Sequence, residues 1–334
     1  MAYKVLIPQD VAQPGKDYLR QRGYEIKMGS GITAEAIAAD VVDCDAILAR
    51  TALFPAKVLE AGKKLKIISR HGVGYDNIDV AKATELGIWV TFAPESNADT
   101  VAEHTIGCIL ALVRNFIQLD RETRAGNFPI RDKLFGSDLA GQVLGIVGLG
   151  KIGIRVALKA SRGLDMKVFA YDPFLRSEQI SEFGTPAKSM DEVFSAADLV
   201  TLHIPGGASN KGVVGKKQFT LMKKTAFFIN ASRGDVVVEA DLIEALRNGT
   251  VAGAAIDVYE KEPPQKDNPL LRMSNVLLTP HNASQTRECL IRMALHAAQG
   301  IDEVLSGKHP TWPVNDPAKR MSKIGRPEKS TNVR

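Results

Sequence analysis

The chain is poor in cysteine, and the little it has is scattered. Cys44, Cys108 and Cys289 are the three among 334 residues. An odd, dispersed set excludes a disulfide framework and a zinc site, and fits reduced thiols in a cytoplasm. No apolar run approaches the ~20 residues of a membrane span, so no membrane partner is expected. The opening Met1-Ala2-Tyr3-Lys4 leads straight into a strand pattern and not into a signal peptide. A large excess of one charge is also missing. The net charge is +5, but the segment 319–334 is rich in Lys and Arg, and without it the body is close to neutral. That gives no reason to expect a nucleic-acid surface. Gly325-Arg326-Pro327 in this tail faintly resembles a minor-groove hook, and a solvated tail is the simpler reading. No His/Asp/Glu cluster has metal-ligand spacing, so no metal is expected. What remains is ordinary for a globular protein, 45% hydrophobic and 24% charged, and long enough for two domains with cores of their own.

The most informative stretch is Gly145-Ile146-Val147-Gly148-Leu149-Gly150-Lys151-Ile152-Gly153. The apolar run 143–147 reads as a buried strand, and 152–160 has helical periodicity. Gly148, Gly150 and Gly153 fit G-x-G-x-x-G. The first glycine permits the tight turn, the second lets backbone approach a pyrophosphate, and the third lets helix pack on strand. The helix start then offers unpaired N–H groups and a positive dipole end to phosphate. A tight structural turn is the bland alternative, but the next strand, 167–171, ends at Asp172. That is the acidic residue expected ~20 positions on, placed for a ribose 2′-hydroxyl. A carboxylate there repels a 2′-phosphate and favours NAD over NADP, with Arg176 nearby to weaken the choice.

Before this loop, strands at 3–8, 24–27, 46–49, 65–69 and 88–91 alternate with helices at 14–22, 34–39, 56–61 and 78–85. This predicts a parallel α/β unit without a phosphate loop of its own. Residues 100–124 read as one long helix, with Val101, Ile106, Ile109, Leu110, Val113 and Ile117 on its apolar side. A helix of that length could bridge two domains, which puts a boundary near Asn97. After Asp172, strands at 199–203, 227–230, 252–256 and 276–279 follow. Residues 285–305 form a closing helix that could return the chain to the first domain. Ligands in open α/β sheets bind beyond the carboxyl ends of strands, so Asp172, Arg233, Asp257 and His281 should fall on one side.

Arg233, Glu262 and His281 suit the reduction of a 2-keto acid. A planar guanidinium holds a carboxylate bidentately. A histidine can give a proton to the carbonyl oxygen near neutral pH, and a neighbouring carboxylate favours its protonated form. Glu260 competes with Glu262 for that last role. His71 sits where it could touch substrate. His104, His203, His296 and His309 read as structural or exposed.

Several motifs together resemble the D-isomer specific 2-hydroxyacid dehydrogenase family, nearest in style to its phosphoglycerate dehydrogenase branch without an added regulatory domain. They are Arg70-His71-Gly72-Val73-Gly74-Tyr75-Asp76-Asn77-Ile78-Asp79, Asn97 with Val101-Ala102-Glu103-His104, the glycine loop, 230–234, Asp257 through Glu262-Pro263, and Pro280-His281. The resemblance implies an α/β fold of two Rossmann-like domains with parallel sheets and the active site in the interdomain cleft. The substrate-binding domain would be discontinuous, 1–97 plus 285–316. Residues 98–284 would bind NAD, and 317–334 would be a mobile basic tail. It further implies Arg233, Glu262 and His281 as the catalytic set, with Glu262 chosen because the family's carboxylate directly precedes the proline. Cofactor contacts would come from Thr100, Gly148, Gly150, Lys151, Ile152, Gly153, Asp172, Ile204, Ala231, Asp257 and Ser284. Substrate contacts would come from Arg50, Arg70, Val73, Gly74, Asn97, Arg233 and His281. In the phosphoglycerate branch, arginines placed like Arg50 and Arg70 lie near the substrate phosphate. Glycerate/hydroxypyruvate, glyoxylate and lactate are the other acids in view, and a homodimer through the cofactor domains is expected. Asn282 departs from the usual pattern and is a possible modifier of binding. The competing class is a binding protein: corepressors of the C-terminal-binding-protein type resemble this fold and use NAD(H) to control assembly.

Overall fold

The computed structural model describes residues 2–319, so the tail expected at 317–334, with its Gly325-Arg326-Pro327 triplet, lies from Arg320 on outside the described residues. The chain divides into two compact units. One comprises residues up to Ser96 together with those from Arg287 on, and the other is Asn97–Thr286.

The first unit is a five-stranded parallel sheet. Its strands are β1 (Lys4–Ile7), β2 (Glu25–Met28), β3 (Ala46–Ala49), β4 (Ile67–Arg70) and β5 (Trp89–Thr91), in the order β2-β1-β3-β4-β5. The central strands read as continuous apolar runs because helices cover both faces of a parallel sheet. Val5, Ile7, Ala46, Leu48 and Ile67 pack on one side against Ala294, Ala297, Ala298 and Ile301 of the helix Arg287–Leu305. That packing draws the end of the chain back to this unit. The return is fixed further on, where Val314 N–H donates to Val90 O at 2.7 Å and the Asn315 side chain accepts from Val90 N–H at 2.7 Å. Leu6, Ile47 and Ile68 fill the opposite face with Phe54, Val58 and Leu59.

The second unit is a seven-stranded parallel sheet. Its strands are β6 (Val143–Val147), β7 (Lys167–Tyr171), β8 (Thr185–Pro186), β9 (Leu199–Leu202), β10 (Phe227–Asn230), β11 (Gly253–Ile256) and β12 (Val276–Leu278), in the order β12-β11-β10-β9-β6-β7-β8. The chain winds outward from β6 in both directions, so β6 and β9 bracket a topological switch point, where such sheets bind ligands. The two-residue β8 has no counterpart in the sequence reading. Proline is tolerated there because the strand is at an edge.

The single helix expected over 100–124 is two helices, Ala98–Val113 and Phe116–Arg124, bent by 59°. Asn115 makes the break, with φ of 53° in the left-handed region. Asn tolerates that conformation better than most residues, and its Nδ2 donates to Phe135 O at 3.0 Å. The apolar period runs through the break, which hid it. Yet Ile109 and Val113 are buried, whereas the second helix has no buried residue. Among the described residues no single helix is long and apolar enough to cross a membrane.

Candidate active site

All seven strands of the second unit run parallel, so their carboxyl ends share one side. The glycine turn follows β6. Gly148 has φ of 95°, and a Cβ there would lie 2.5 Å from His203 O beyond β9. A Cβ on Gly153 would lie 2.0 Å from Gly148 O. Both glycines are therefore required by the protein's own packing. Gly150 differs. It has ordinary dihedrals, φ of −73° and ψ of −168°, and an added Cβ meets nothing within 4 Å. Neither backbone nor neighbours require glycine at 150, which is what a surface kept clear for a ligand's phosphates would show. Gly150 also caps the 13-residue helix Lys151–Gly163, whose first N–H groups face that space. Ile152 is half-buried and Lys151 exposed there.

Asp172 ends β7 and fits the ribose-binding role. It also performs a structural role that the sequence did not reveal. One carboxylate oxygen accepts from Leu149 N–H at 2.9 Å, inside the glycine turn, and the other accepts from Phe174 N–H at 2.9 Å. The residues present thus fit a dinucleotide: a clear backbone approach, a helix start and a carboxylate one strand away.

His281 and Glu262 meet. His281 Nδ1 lies 2.7 Å from Glu262 Oε2, and Glu262 Oε1 accepts from Tyr259 N–H at 3.2 Å. The Glu260 backbone N–H instead donates to Glu239 Oε2 at 3.3 Å. Burial pushes the Glu262 carboxyl up, but the His281 hydrogen bond and charge, the Tyr259 N–H and the Arg233 charge outweigh it. The net effect holds it below its ordinary value, as a carboxylate. His281 itself has φ of 51°. Its N–H donates to Asp257 O at 2.7 Å.

Asp257, 2% exposed, organises the turn that carries His281. Oδ1 accepts from Thr279 Oγ1 at 2.6 Å and Asn282 N–H at 2.9 Å, and Oδ2 accepts from Ala283 N–H at 3.0 Å. Asn282 is thus tied in through its backbone, and its side chain is on an exposed residue. His104 Nε2 lies 3.4 Å from Thr279 Oγ1, so this helix histidine buttresses the same turn. Arg233 follows β10. Asn230 Nδ2 donates to Arg233 O at 2.9 Å, and Arg233 Nη1 donates to Ser232 O at 2.7 Å. Ile204, Ala231 and Ser284 are half-buried in loops after β9, β10 and β12, and Thr100 is buried on the helix Ala98–Val113. His203 is half-buried. Burial pushes its imidazole down to about 3, and Thr201 Oγ1 is its partner at 3.1 Å.

Arg50, Arg70, Val73 and Gly74 stand in the first unit, whereas Asn97 opens the second. Arg50 Nη1 donates to Asp10 O at 2.8 Å. Arg70 Nη1 curls back on His71 O. Burial pushes the His71 imidazole down to about 4, and the charges of Arg50 and Arg70 add to this. Val73 and Gly74 are half-buried in the loop that follows.

A doubly wound parallel sheet with an open glycine turn at its switch point and an acidic residue after the next strand defines a dinucleotide-binding α/β protein. Comparison with known proteins narrows this. Residues 106–283 match the model of the D-isomer specific 2-hydroxyacid dehydrogenase, NAD binding domain. The D-3-phosphoglycerate dehydrogenase of Archaeoglobus fulgidus is 41% identical over 91% of this chain and 58% of its own length. The glyoxylate reductase of Thermofilum pendens is 36% identical over 93% of this chain and 94% of its own. Among solved structures, the NADPH-dependent glyoxylate/hydroxypyruvate reductase of Sinorhizobium meliloti, in complex with NADP and malonate, superposes with a TM-score of 0.85 at 28% identity. That match covers 97% of this chain and all of the other. The chain belongs to the D-isomer specific 2-hydroxyacid dehydrogenase family and carries its NAD-binding domain. It spans less than two thirds of phosphoglycerate dehydrogenases that it matches, 58%, 61% and 56% of three of them.

Proposed function

We propose that this protein is an NAD-dependent D-2-hydroxyacid dehydrogenase, moving hydride reversibly between NAD(H) and C2 of a 2-hydroxy/2-keto acid. The 2.7 Å pairing of His281 Nδ1 with Glu262, on the sheet that carries the glycine turn, is the observation that carries the reading. Bound NADH supplies the hydride. Arg233 holds the substrate carboxylate and polarises the carbonyl. His281 gives the proton on its other ring nitrogen to the carbonyl oxygen and recovers it in the reverse direction. Glu262 orients the imidazole and stabilises its charged form. Gly148, Gly150, Lys151, Ile152, Gly153, Asp172, Thr100, Ile204, Ala231, Asp257 and Ser284 form the cofactor site. Val73, Gly74 and Asn97 bind substrate.

Two kinds of acid fit this reading: a phosphorylated one such as 3-phosphoglycerate, and a small unphosphorylated one such as glycerate/hydroxypyruvate, glyoxylate or lactate. Arg50, directly after β3, and Arg70, the last residue of β4, are the side chains that would meet a substrate phosphate. Relatives named for phosphoglycerate and glyoxylate supply the first acids to try. Following NADH absorbance against a panel of 2-keto acids, phosphohydroxypyruvate, hydroxypyruvate and glyoxylate included, tests the proposal. Turnover of none of them would overturn it. We also infer a cytoplasmic homodimer formed through the cofactor domains. Cys44, Cys108 and Cys289 are buried and none is in a disulfide, which suits a reducing compartment. Phe116, Ile117, Phe128 and Phe135 are exposed on one segment of the second unit, Phe135 by 75%, which supports a partner surface there.

A further inference from the structure

Arg233, Glu262 and His281 stand on three different loops, and one buried residue touches all three loops. Tyr259 follows β11 and is 7% exposed. Its backbone N–H donates to Glu262 Oε1 at 3.2 Å, the oxygen that His281 leaves free. Its hydroxyl donates to Thr279 O at 3.0 Å, two residues before His281. Its carbonyl is where the Arg233 loop packs: a Cβ on Gly234 would lie 1.8 Å from Tyr259 O, an approach that only glycine permits.

The hydroxyl bond falls where the site needs one. β12 is an edge strand of three residues, held on one side by β11 alone. Immediately beyond it His281 adopts φ of 51°, a conformation that persists in a non-glycine residue only when its surroundings fix it. Thr279 N–H is bound to Ile256 O at 3.0 Å and its Oγ1 to Asp257. Its carbonyl remained to be held, and Tyr259 holds it from the loop that carries Glu262. Burial, then the charges of Asp257, Glu262 and Glu239, raise the Tyr259 phenol above its ordinary value, so it stays protonated and stays a donor.

We propose that Tyr259 is a positioning residue: its backbone and hydroxyl keep the loops of Arg233, Glu262 and His281 in register. This rests on the acid/base reading of His281 given above. Tyr259→Phe removes the hydroxyl and keeps the ring, so the variant is expected to fold. Two readouts follow in full-length protein: kcat/KM for keto-acid reduction against pH, and the carbon NMR titration of the Glu262 carboxyl. The expected result is a loss in kcat/KM of ~2–10-fold, the worth of one hydrogen bond, with NADH affinity unchanged. The Glu262 titration should move to higher pH, because the donors that hold its carboxylate loosen. Tyr24→Phe is the control. It removes a comparable hydroxyl bond, to Asp302 at 2.8 Å in the other unit, and should lower thermal stability while leaving both readouts in place. A Tyr259→Phe protein with wild-type pH profile and Glu262 titration, whatever its melting temperature, would overturn the positioning role. Should wild-type protein reduce no 2-keto acid, the acid/base reading falls by itself, and the Glu262 titration still decides the role of Tyr259.

Discussion

The two sheets are wound alike around their first strands. β1 is flanked by β2 and β3, and β6 by β7 and β9. Each arrangement leaves a crevice between the first strand and the strand that reverses the order. In the first unit that crevice is closed by a side chain. Gln9 follows β1, and its Oε1 accepts from Thr51 N–H at 2.9 Å and Ala52 N–H at 2.8 Å, both beyond β3. In the second unit the matching turn carries Gly150, with no protein atom within 4 Å of an added Cβ. The two sheets share this winding and differ in what stands at the turn after the first strand. A fold by itself therefore does not assign function.

The largest expected effect removes the chemistry from the second sheet and leaves its cofactor site. His281→Ala should lower kcat for keto-acid reduction by ~10²–10⁴-fold, while NADH fluorescence titration shows unchanged affinity. Activity near wild type would end the acid/base assignment of His281.

Gly150→Ala puts a methyl group into the open space. The dihedrals at 150 suit any L-residue, so the melting temperature should hold while NADH affinity drops at least ~10-fold, or ~1.4 kcal/mol. A variant that binds NADH normally would show that the emptiness at 150 has no bearing on the cofactor. The same change at Gly148 or Gly153 should instead unfold the turn, because backbone atoms already occupy those places.

The Glu262 carboxyl is held below its ordinary value, so its contribution is present above the unfolded-state value and is lost as pH falls through the lowered folded value. The dyad should therefore persist into mildly acidic solution. Glu262→Gln should lower kcat/KM by ~10-fold at neutral pH and by less as pH falls through the Glu262 value, where the wild-type protein loses the same negative charge. A pH-independent loss would point to a purely structural Glu262.

Much of this contrast was legible in the sequence because it rests on residues with few alternatives. Gly148 and Gly153 are needed sterically. A proline before His281 and acidic residues at strand ends mark the binding side of a parallel sheet. What the sequence could not give depends on distant partners. The apolar period ran on past Asn115, and the left-handed break is fixed by Phe135, 20 residues away. Nothing in the residues around Gln9 marks it out, and only the pairing of β1 with β3 brings Thr51 beside it. Asp172 and Asp257 were read for a ligand, yet each also bonds backbone N–H groups of neighbouring loops.

Asp172 can be tested accordingly. Removing the whole side chain would free Leu149 N–H and loosen the turn, which mixes two effects. Asp172→Asn keeps an acceptor and removes the charge. The ratio of NADH to NADPH use should shift toward NADPH by ~3–10-fold, the scale of one electrostatic contact near a protein surface. An unchanged ratio would remove the discriminating role and leave the loop anchor.

The smallest effect concerns the closed crevice. Gln9→Ala in the first unit removes the two backbone bonds to Thr51 and Ala52 and the side-chain bond to Thr51 Oγ1 at 2.9 Å. The turn is partly solvent-exposed, so water replaces part of what is lost, and the expected cost is ~1 kcal/mol of stability. NADH affinity and turnover should stay at wild-type values, since this crevice lacks the glycine turn and the carboxylate that follows β7. If emptying it produced a second NADH equivalent in a binding titration, strand order alone would suffice to bind a dinucleotide, and the distinction drawn between Gln9 and Gly150 would fail.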